Sequence, residues 1–279
     1  MVELTAPLHC IFLKVNTEQA LTKILKLLHK FNIPFFILGN GTNILVSDKG
    51  IRGAVIKLSG DFKKIKVTKD NLVKCGSGVM ISELCVFSKK NSLKGTELLW
   101  GIPGTIGGAL YMNAGAFGGE IKDIVKSCNY MNKSGEQFKI LKEDMELSYR
   151  KSKFTNTEDI ITSVVFELKK GDKNEIDSHM KAILTRRKEK QPLNYPNAGS
   201  IFKKPEGHFA GALIENCELK GKSVGGAMVS EKHAGFIVNT GNATCRDVIQ
   251  LINQIKDTVY KKTHVRLDCE VKFIGDFSN

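Results

Sequence analysis

The fold of this chain is decided by residues 101–116, which read GIPGTIGGALYMNAGA. These sixteen residues contain five glycines, four alanines or threonines, and no Lys, Arg, Asp or Glu. Such a composition is not typical of a solvated loop. Because glycine has no Cβ and tolerates positive φ, this backbone allows a large, flat group to approach it closely.

A second segment with glycines lies upstream, at Gly39–Asn43 (GNGTN). It stands between two apolar runs with strand character, Phe35–Leu38 and Ile44–Val46. The spacing Gly39-x-Gly41 does not continue to the last glycine of a Rossmann fingerprint. Backbone N–H groups in such turns hold phosphate oxygens well, so the two segments together predict a nucleotide cofactor with a diphosphate.

The length and composition limit the class of protein. With 279 residues, of which 42% are hydrophobic, the chain can bury a core and is predicted to form two or more domains. No apolar run reaches the roughly 18 residues of a membrane helix, and Met1–Cys10 does not resemble a secretory signal. The net charge of +13 favours small polyanionic ligands, whereas the sequence has no motif typical of nucleic-acid binding.

The seven cysteines and six histidines are scattered along the chain. The cysteines are odd in number and form no C-x-x-C pair, and the histidines show no H-x-x-x-H spacing. We therefore predict reduced thiols that mostly fill the core, a cytoplasmic protein, and no metal site.

Hydrophobic periodicity predicts an α+β protein without the regular strand–helix repeat of a doubly wound sheet. A polar break at Gly171–Asn174 predicts a domain boundary, and Gln191–Ser200 is predicted to be a loop. Helices are predicted at Asn16–Phe31, Val79–Lys90, Glu175–Lys190, Gly207–Glu218 and Arg246–Lys262. Strands are predicted at Pro34–Leu38, Ile44–Val46, Gly53–Leu58, Val125–Met131, Gln137–Leu141, Ile160–Leu168, Gly225–Val229, Gly235–Val238 and Arg266–Ile274.

Three further groups carry side chains suited to chemistry. Tyr149–Phe154 places a guanidinium among aromatic residues, and Ala198–Phe202 places a hydroxyl on a turn beside a glycine. Glu270 is a carboxylate on the polar face of the last predicted strand. By pattern alone each group is ordinary, because a surface Arg, a turn Ser and a strand Glu are all common.

Six stretches, in order along the chain, resemble one protein family. They read ILGNGTNILVSDKGIRGAVIKL, GIPGTIGGALYMNAGAFGGEI, SYRKSKF, NAGSIFKKP, HFAGALIENCELKGKSVGGAMVSEKHAGFIVN and LDCEVKFIG, and they extend from about Ile37 to Gly275. On these stretches the chain resembles the UDP-N-acetylenolpyruvoylglucosamine reductase (MurB) family. Ser200 follows Arg150 too closely for the tyrosine-bearing insertion of one subtype, so the resemblance is to the shorter subtype.

The resemblance implies a fold. It predicts an FAD-binding domain of the vanillyl-alcohol-oxidase (PCMH) type at residues 1–171 and a smaller α+β substrate-binding domain at residues 172–279. The last strand, near residues 266–275, can belong either to the second domain or to the FAD domain, and both possibilities stay open.

The resemblance also implies a reaction, the NADPH-dependent, FAD-mediated reduction of UDP-N-acetylglucosamine enolpyruvate to UDP-N-acetylmuramate. This step belongs to peptidoglycan synthesis, on which cell shape and cell division depend. The implied cofactors are FAD and NADPH, the substrate is the enolpyruvyl ether of a UDP-sugar, and we expect a monomer. Two alternatives stay open: another FAD-dependent oxidoreductase of the same fold, or an inactive UDP-sugar-binding paralogue.

The family's functional residues fall on this chain one at a time. Its Y-R-x-S-x-F arginine falls on Arg150, its G-S-x-F serine on Ser200 and its E-V-x-F-I-G glutamate on Glu270. Arg150, with Glu270 in its protonated form, is expected to stabilise the enolate produced by hydride transfer, and Ser200 to protonate it. The implied substrate-binding residues are Tyr149, Lys203 and Lys204. The implied FAD-binding residues are Gly39, Asn40, Gly41, Thr42, Asn43, Gly101, Ile102, Pro103, Gly104, Gly107, Gly108, Asn113, Ala114 and Gly115.

The chain departs from the family in two places. Family members usually begin with an additional segment before the region that matches Ala6–Val15, so either the start of this chain is misassigned or an N-terminal element is lost. Many members carry Asn where this chain has Lys204, which can meet a phosphate but without amide geometry. For the second glycine segment, a valine at Gly107 is expected to fill the space of the flavin and to abolish its binding more than folding.

Overall fold

The computed structural model describes residues 10–277 and shows an α+β protein. Within those residues the α-helices are α1 (Glu18–Lys30), α2 (Ile81–Lys90), α3 (Ile106–Tyr111), α4 (Lys173–Lys190), α5 (Ala210–Asn216) and α6 (Cys245–Thr263). The strands are β1 (Cys10–Val15), β2 (Phe35–Ile37), β3 (Ile44–Val46), β4 (Gly53–Leu58), β5 (Ile65–Val67), β6 (Leu72–Gly76), β7 (Leu93–Lys94), β8 (Gly115–Ala116), β9 (Gly119–Glu120), β10 (Val125–Met131), β11 (Gln137–Leu141), β12 (Ile160–Glu167), β13 (Lys169–Lys170), β14 (Asn197–Ser200), β15 (Ser223–Val224), β16 (Ala227–Val229), β17 (Phe236–Asn239) and β18 (Lys272–Ile274).

The larger of two compact units comprises Ile11–Asn40 and Gly53–Arg186. Its main sheet is antiparallel, with the strand order β11-β10-β12-β6-β5. One hydrophobic cluster joins this sheet to α2 and α3 and includes the fully buried side chains of Val164, Leu84 and Leu110. This packing places the start of α3 beside the end of β6.

A second sheet of the larger unit has the strand order β1-β4-β2 and packs against α1. The Thr17 hydroxyl caps α1 by accepting a hydrogen bond from Ala20 N at 3.2 Å. Leu21, Leu25 and Leu28 form the buried stripe of the helix. The helix predicted at Asn16–Phe31 is therefore confirmed, with the slightly shorter range Glu18–Lys30.

Within the described residues, the smaller unit comprises Cys10, Gly41–Arg52 and residues 187–277. Its antiparallel sheet has the order β14-β17-β16-β15 and shares a hydrophobic cluster with α5 and α6. β3 pairs in parallel with β18. The Asp48 carboxylate, in the loop after β3, accepts hydrogen bonds from the first amides of α6, Cys245 N at 2.8 Å and Arg246 N at 3.0 Å.

The sequence analysis missed several elements and gave one segment the wrong extent. The helix α3 in the glycine-rich segment and the interior strand β6 had not been predicted, and the predicted loop at Gln191–Ser200 ends in β14. The last strand is confined to Lys272–Ile274, whereas Arg266–Ile274 was predicted, and Phe273 on it is exposed. Short strands carry too few residues for a clear period, so tertiary pairing decides them.

The boundary between the compact units also differs from the predicted break at Gly171–Asn174. That break falls just before and within the start of α4, whereas the units divide at Arg186 and Arg187, inside the same helix. β18 belongs to the smaller unit, as does the separate segment Gly41–Arg52. The expectation about the start of the chain concerns residues 1–9, which lie outside the described residues. Among residues 10–277, no helix combines the length and apolar character that a bilayer crossing requires.

Candidate active site

Several backbone amides of the first glycine segment have no acceptor among the described residues. Within the described residues, the N–H groups of Gly39, Asn40 and Gly41 donate no hydrogen bond. Gly41 has a positive φ of 70°. A Cβ at Gly39 would lie 2.8 Å from Thr105 Oγ1, so only glycine fits there without displacing this hydroxyl. Backbone amides of this kind suit an anionic ligand such as a diphosphate.

The start of α3 pairs with the chain that leaves β6. Ile106 N donates to the Val79 carbonyl at 2.8 Å, and Gly107 N donates to the Ser77 carbonyl at 2.8 Å. These two amides are already bonded to protein and do not face a ligand. The amide of the following residue donates to the hydroxyl of the helix cap, Thr105, at 3.4 Å.

Gly107 and Gly108 face opposite ways although they are adjacent. A Cβ at Gly107 would lie 2.9 Å from Ser77 Cβ, so this glycine is required by the packing of the protein itself. A Cβ at Gly108 would meet only Thr105 Oγ1, at the ordinary distance of 3.5 Å, and Gly108 is exposed. The expected reason for the sensitivity of Gly107 was therefore wrong, and Gly108 is the glycine with an open face.

The residues around the start of α3, in the larger unit, fit a bound cofactor. The Ser77 hydroxyl is buried beside Gly107, and within the described residues its oxygen has no hydrogen-bond partner. A buried hydroxyl of this kind is costly unless a ligand or water completes its bonding. Gly104 has only one ordinary contact in the direction of a Cβ, 3.7 Å from Ile81 Cδ1. Together with the amides of Gly39 and Asn40, which belong to the same unit, these groups match a cofactor that has both a flat ring system and phosphates.

The residues before Gly104 have different surroundings. Gly101 takes a positive φ of 78°, which favours glycine there. Ile102 packs against the main core of the larger unit, and Pro103 is exposed.

Three implied cofactor ligands lie inside the protein. Asn113 is fully buried, and its side-chain amide bonds to other parts of the chain. Ala114 is buried, donates to the Ala109 carbonyl and accepts from Ile121 N. A Cβ at Gly115 would lie 2.4 Å from the carbonyl oxygen of the opposite hairpin strand. The contacts of all three residues are therefore with other parts of the protein.

Arg150 lies at the tip of a tight turn in the larger unit. Ser148 and Lys151 close the turn by mutual backbone hydrogen bonds of 3.1 and 3.2 Å. Arg150 has a φ of 55°, a left-handed conformation that costs energy for any residue other than glycine. Its Nη2 donates to the Gly115 carbonyl at 3.0 Å, and its guanidinium lies 5.0 Å from the centre of the Tyr149 ring. The guanidinium is thus held by a hydrogen bond to a backbone carbonyl and by a contact with an aromatic ring.

In the smaller unit, the chain after Ser200 runs beside the segment that carries Glu270. Glu270 N donates to the Ile201 carbonyl at 2.7 Å, and Lys203 N donates to the carbonyl of residue 268 at 2.9 Å. Asn43 Nδ2 donates to the Glu270 carbonyl at 3.2 Å. Two implied catalytic residues and one residue of the first glycine segment are thus brought together. Thr42 lies beside Asn43 and is half-buried.

The surroundings of Ser200 include a histidine that the sequence analysis did not single out. Ser200 Oγ donates to the Phe202 carbonyl at 3.2 Å. A Cβ at Gly235 would lie 3.4 Å from this hydroxyl and 3.1 Å from His233 Nδ1. The His233 ring accepts a hydrogen bond from Gly235 N, and burial lowers the pKa of its imidazole. His233 and Gly235 lie in the stretch EKHAGF, which is part of the sequence that resembles the family.

The implied substrate-binding lysines and tyrosine are accessible. Lys204 Nζ lies 4.5 Å from the centre of the Phe209 ring, which is 68% exposed. Lys203 is held by its backbone beside the segment of Glu270, and Tyr149 is 46% exposed. Cationic and aromatic groups at the surface suit a nucleotide or another phosphate-bearing ligand.

All seven cysteines are free thiols. Burial is the main cause that raises the pKa of Cys75, and it raises the pKa of Cys85 and Cys128 to about 12. All three side chains belong to the main hydrophobic cluster of the larger unit. They fill the core and are unsuited to thiolate chemistry, which agrees with the prediction from the sequence.

Comparisons with known proteins match both parts of the chain. Residues 11–141 match the profile of an FAD binding domain, and residues 191–274 match the C-terminal domain of UDP-N-acetylenolpyruvoylglucosamine reductase. The reductase of Clostridioides difficile is 48% identical over 95% of this chain and 87% of that protein. The reductase of Alkaliphilus oremlandii is 47% identical over 94% of this chain and 86% of that protein.

A solved structure gives the same result. The crystal structure of the reductase MurB from Thermus caldophilus is similar to this chain with a TM-score of 0.82 and 33% identity, over 94% of this chain and 91% of that one. The fold and the site define the class of protein as a flavoprotein with an FAD-binding domain. The chain belongs to the UDP-N-acetylenolpyruvoylglucosamine reductase family. The fold class implied by the resemblance is confirmed.

Proposed function

We propose that this chain is a UDP-N-acetylmuramate dehydrogenase. It reduces UDP-N-acetylglucosamine enolpyruvate to UDP-N-acetylmuramate for peptidoglycan synthesis, with NADPH as the reductant and FAD as the resident cofactor. The observation that carries the proposal is the placement of Arg150, whose strained backbone and 3.0 Å bond to the Gly115 carbonyl hold a cation ready for an anionic transition state.

The groups that would hold FAD are on the larger unit and in the first glycine segment. The amides of Gly39, Asn40 and Gly41 are suited to its diphosphate, whereas Gly104 and Gly108 offer backbone without a side chain to its flat ring. When bound, FAD supplies hydride transfer, from NADPH and then to the enolpyruvyl carbon. The other residues of the two glycine segments are proposed as cofactor neighbours, except for four whose contacts are with the protein itself: Gly107, Asn113, Ala114 and Gly115.

Arg150 provides positive charge where negative charge develops on the substrate. Addition of hydride to the β-carbon of the enolpyruvyl group leaves an electron pair on the neighbouring carbon, which is delocalised into the carboxylate as an enolate. A fixed guanidinium stabilises this enolate without reorganisation during the step. Glu270 in its protonated form adds a hydrogen-bond donor to the same charge.

Ser200 supplies the proton that completes the reaction. Its hydroxyl proton is transferred to the enolate carbon, which forms the C–H bond of the lactyl ether, and the serine is reprotonated from solvent. The hydroxyl now donates to the Phe202 carbonyl at 3.2 Å, so it must turn away from this acceptor to act. His233 is near the same glycine as this hydroxyl and adds a polar group to its surroundings.

The remaining polar residues bind the anionic parts of the substrates. Lys203, Lys204 and Tyr149 are proposed to contact the UDP diphosphate, and the net charge of +13 favours binding of NADPH and the UDP-sugar. Lys204 binds as a point charge, in contrast to the amide that many family members carry. We propose a monomer in the cytoplasm, where thiols stay reduced.

Ser200→Ala separates the two halves of the reaction. Reduction of the flavin by NADPH needs no proton from Ser200, so stopped-flow bleaching of the yellow colour is expected at the wild-type rate. Reoxidation by the UDP-enolpyruvyl sugar needs the proton and is expected to slow by roughly 10²-fold or more. Arg150→Ala is expected to show the same division, because the charge it stabilises arises only in the second half.

The matched control is Ser223→Ala, an exposed serine on β15 of the same sheet. Both of its half-reactions are expected to keep the wild-type rates. Equal slowing of both halves in Ser200→Ala contradicts the role of this serine as proton donor. Failure of the purified wild-type protein to oxidise NADPH in response to the UDP-enolpyruvyl sugar contradicts the proposed function as a whole.

A further inference from the structure

Asn113 is a fully buried amide directly after α3, in the larger unit. Its φ is 43°, a left-handed conformation that Asn adopts more readily than most residues. Its side chain faces a small set of protein groups, so its position in a glycine-rich segment does not make it a ligand. The question is what these bonds hold in place.

The side-chain amide of Asn113 bonds in three directions. Nδ2 donates to the Ser148 carbonyl at 2.9 Å and to Glu120 Oε2 at 3.1 Å, while Oδ1 accepts from Lys122 N at 2.9 Å. Both N–H groups of the amide are therefore used by protein acceptors. The same Glu120 oxygen also pairs with Lys122 Nζ at 2.7 Å, which fixes the carboxylate.

These bonds join the two structural parts that hold Arg150. Ser148 closes the turn whose tip is Arg150, and its carbonyl is one of the acceptors of Asn113. Glu120 lies on β9, opposite Gly115 on β8, and the Gly115 carbonyl accepts from Arg150 Nη2. Asn113 thus contacts both the backbone that carries the guanidinium and the hairpin that receives it.

The neighbouring part of this loop is attached independently. Ser152 Oγ donates to the Tyr111 carbonyl at 2.6 Å, Thr155 Oγ1 donates to the same carbonyl at 3.3 Å, and Asn156 N donates to the Tyr111 hydroxyl at 3.2 Å. Loss of the Asn113 side chain therefore leaves the loop attached to α3 through Tyr111. What it releases is the turn at Arg150 and the hairpin.

We propose that Asn113 is a positioning residue: it holds Arg150 in place and affects the proposed reaction only through Arg150. This inference rests on the proposed function. The left-handed backbone of Arg150 is strained, and such a conformation persists only when neighbouring groups hold it. The side-chain amide of Asn113 is one of these groups, because it bonds to the Ser148 carbonyl in the same turn. A guanidinium that is free to move stabilises the enolate less, although the flavin still binds and still accepts electrons.

The test uses flavin-loaded Asn113→Gly, which keeps the left-handed backbone accessible and removes all three side-chain bonds. We expect flavin content within twofold of wild type and reduction by NADPH at less than a twofold change. Reoxidation by the UDP-enolpyruvyl sugar is expected to slow at least tenfold, with a fall in kcat and little change in KM for the UDP-sugar. If this variant does not retain flavin, Asn113→Asp takes its place, since it keeps the acceptor for Lys122 N and loses both donors.

A matched control and a double variant separate positioning from general damage. Asn132 has similar bonds in the β10–β11 turn, where its Oδ1 accepts from Ser134 N and Glu136 N and its Nδ2 donates to Glu136. Asn132→Gly is expected to lower the melting temperature without separating the half-reactions. Asn113→Gly combined with Arg150→Ala is expected to reoxidise no more slowly than Arg150→Ala alone, because the first change acts through the second residue.

Two results overturn the inference. One is equal slowing of both half-reactions in the Asn113 variant, and the other is an additive loss in the double variant. If Arg150→Ala itself shows no separation of the halves, the role of Arg150 in the proposed function fails instead. A clear separation in Arg150→Ala with none in either Asn113 variant refutes only the positioning role.

Discussion

The start of α3 and the hairpin stem that follows it are both rich in glycine, but their glycines have different neighbours. At the start of α3, Gly104 and Gly108 have room beside them, with no atom closer than 3.5 Å to the position of a Cβ. In the stem, a Cβ at Gly115 would lie 2.4 Å from the Gly119 carbonyl, and a Cβ at Gly119 would lie 2.5 Å from Leu98 Cβ.

The difference shows that one glycine-rich segment serves two purposes. The open glycines leave a surface for a flat ligand, whereas the closed ones allow two strands to approach closely and bring a carbonyl to Arg150. Gly107 belongs with the closed group although it adjoins Gly108, because it packs on Ser77. Substitutions that distinguish folding from flavin affinity test this division directly.

Gly107→Val is expected to have the largest effect. Its branched side chain has no space beside Ser77, and overpacking of this kind costs about 3 kcal/mol, which lowers the melting temperature of the flavin-free protein by roughly 10 °C. Cys75, Cys85 and Cys128 are fully buried in this core, and in the destabilised variant we expect them to react faster with a thiol reagent than in the wild type. If the flavin-free variant has the melting temperature of the wild type, Gly107 has open space beside it, and the division into open and closed glycines is wrong.

Gly108→Val is expected to act on the cofactor instead. The side chain projects into the open side, so the flavin-free protein keeps its melting temperature within about 2 °C, since Val costs no more than Gly in a helix. FAD affinity is expected to fall at least tenfold, a loss of about 1.4 kcal/mol, measured by fluorescence titration. Unchanged affinity in a folded variant shows that the flat ring does not lie on this face.

Gly118→Ala is expected to have the smallest effect. Gly118 is at the tip of the β8–β9 hairpin with a φ of 94°, and no atom of the described residues lies within 4 Å of the position of a Cβ. The cost is only the backbone strain of about 1 kcal/mol, with FAD affinity unchanged. The melting temperature and a flavin titration measure both quantities. A large loss of stability, comparable to that of Gly107→Val, contradicts the view that neighbouring atoms decide these effects.

Much of the fold could be predicted from local sequence. The helices α1 and α6 were predicted from their 3.6-residue period, which depends on residues a few positions apart, and the structure shows them capped by Thr17 and Thr244. β6 was not predicted, although it is an interior strand of the main sheet. Its five residues have no clear alternation, and its pairing partners β5 and β12 decide its structure.

The candidate site could be predicted in part. The motifs placed Arg150, Ser200 and Glu270 as the implied catalytic residues, and their roles stay predictions. The family resemblance implied that Asn113 binds FAD, because it lies in one of the two glycine segments. Its bonding partner Ser148 is 35 positions away, so only the folded chain shows that its amide is used by protein.

The sequence by itself determined the amphipathic helices, the two glycine segments, the family and the residue types of the site. The tertiary structure decided which glycine is open, which is closed, and which buried amide holds the turn of Arg150. The physical reason is distance along the chain. Helical periodicity and capping involve neighbours within four residues, whereas the space beside a glycine and the partners of a buried amide come from segments that meet only on folding.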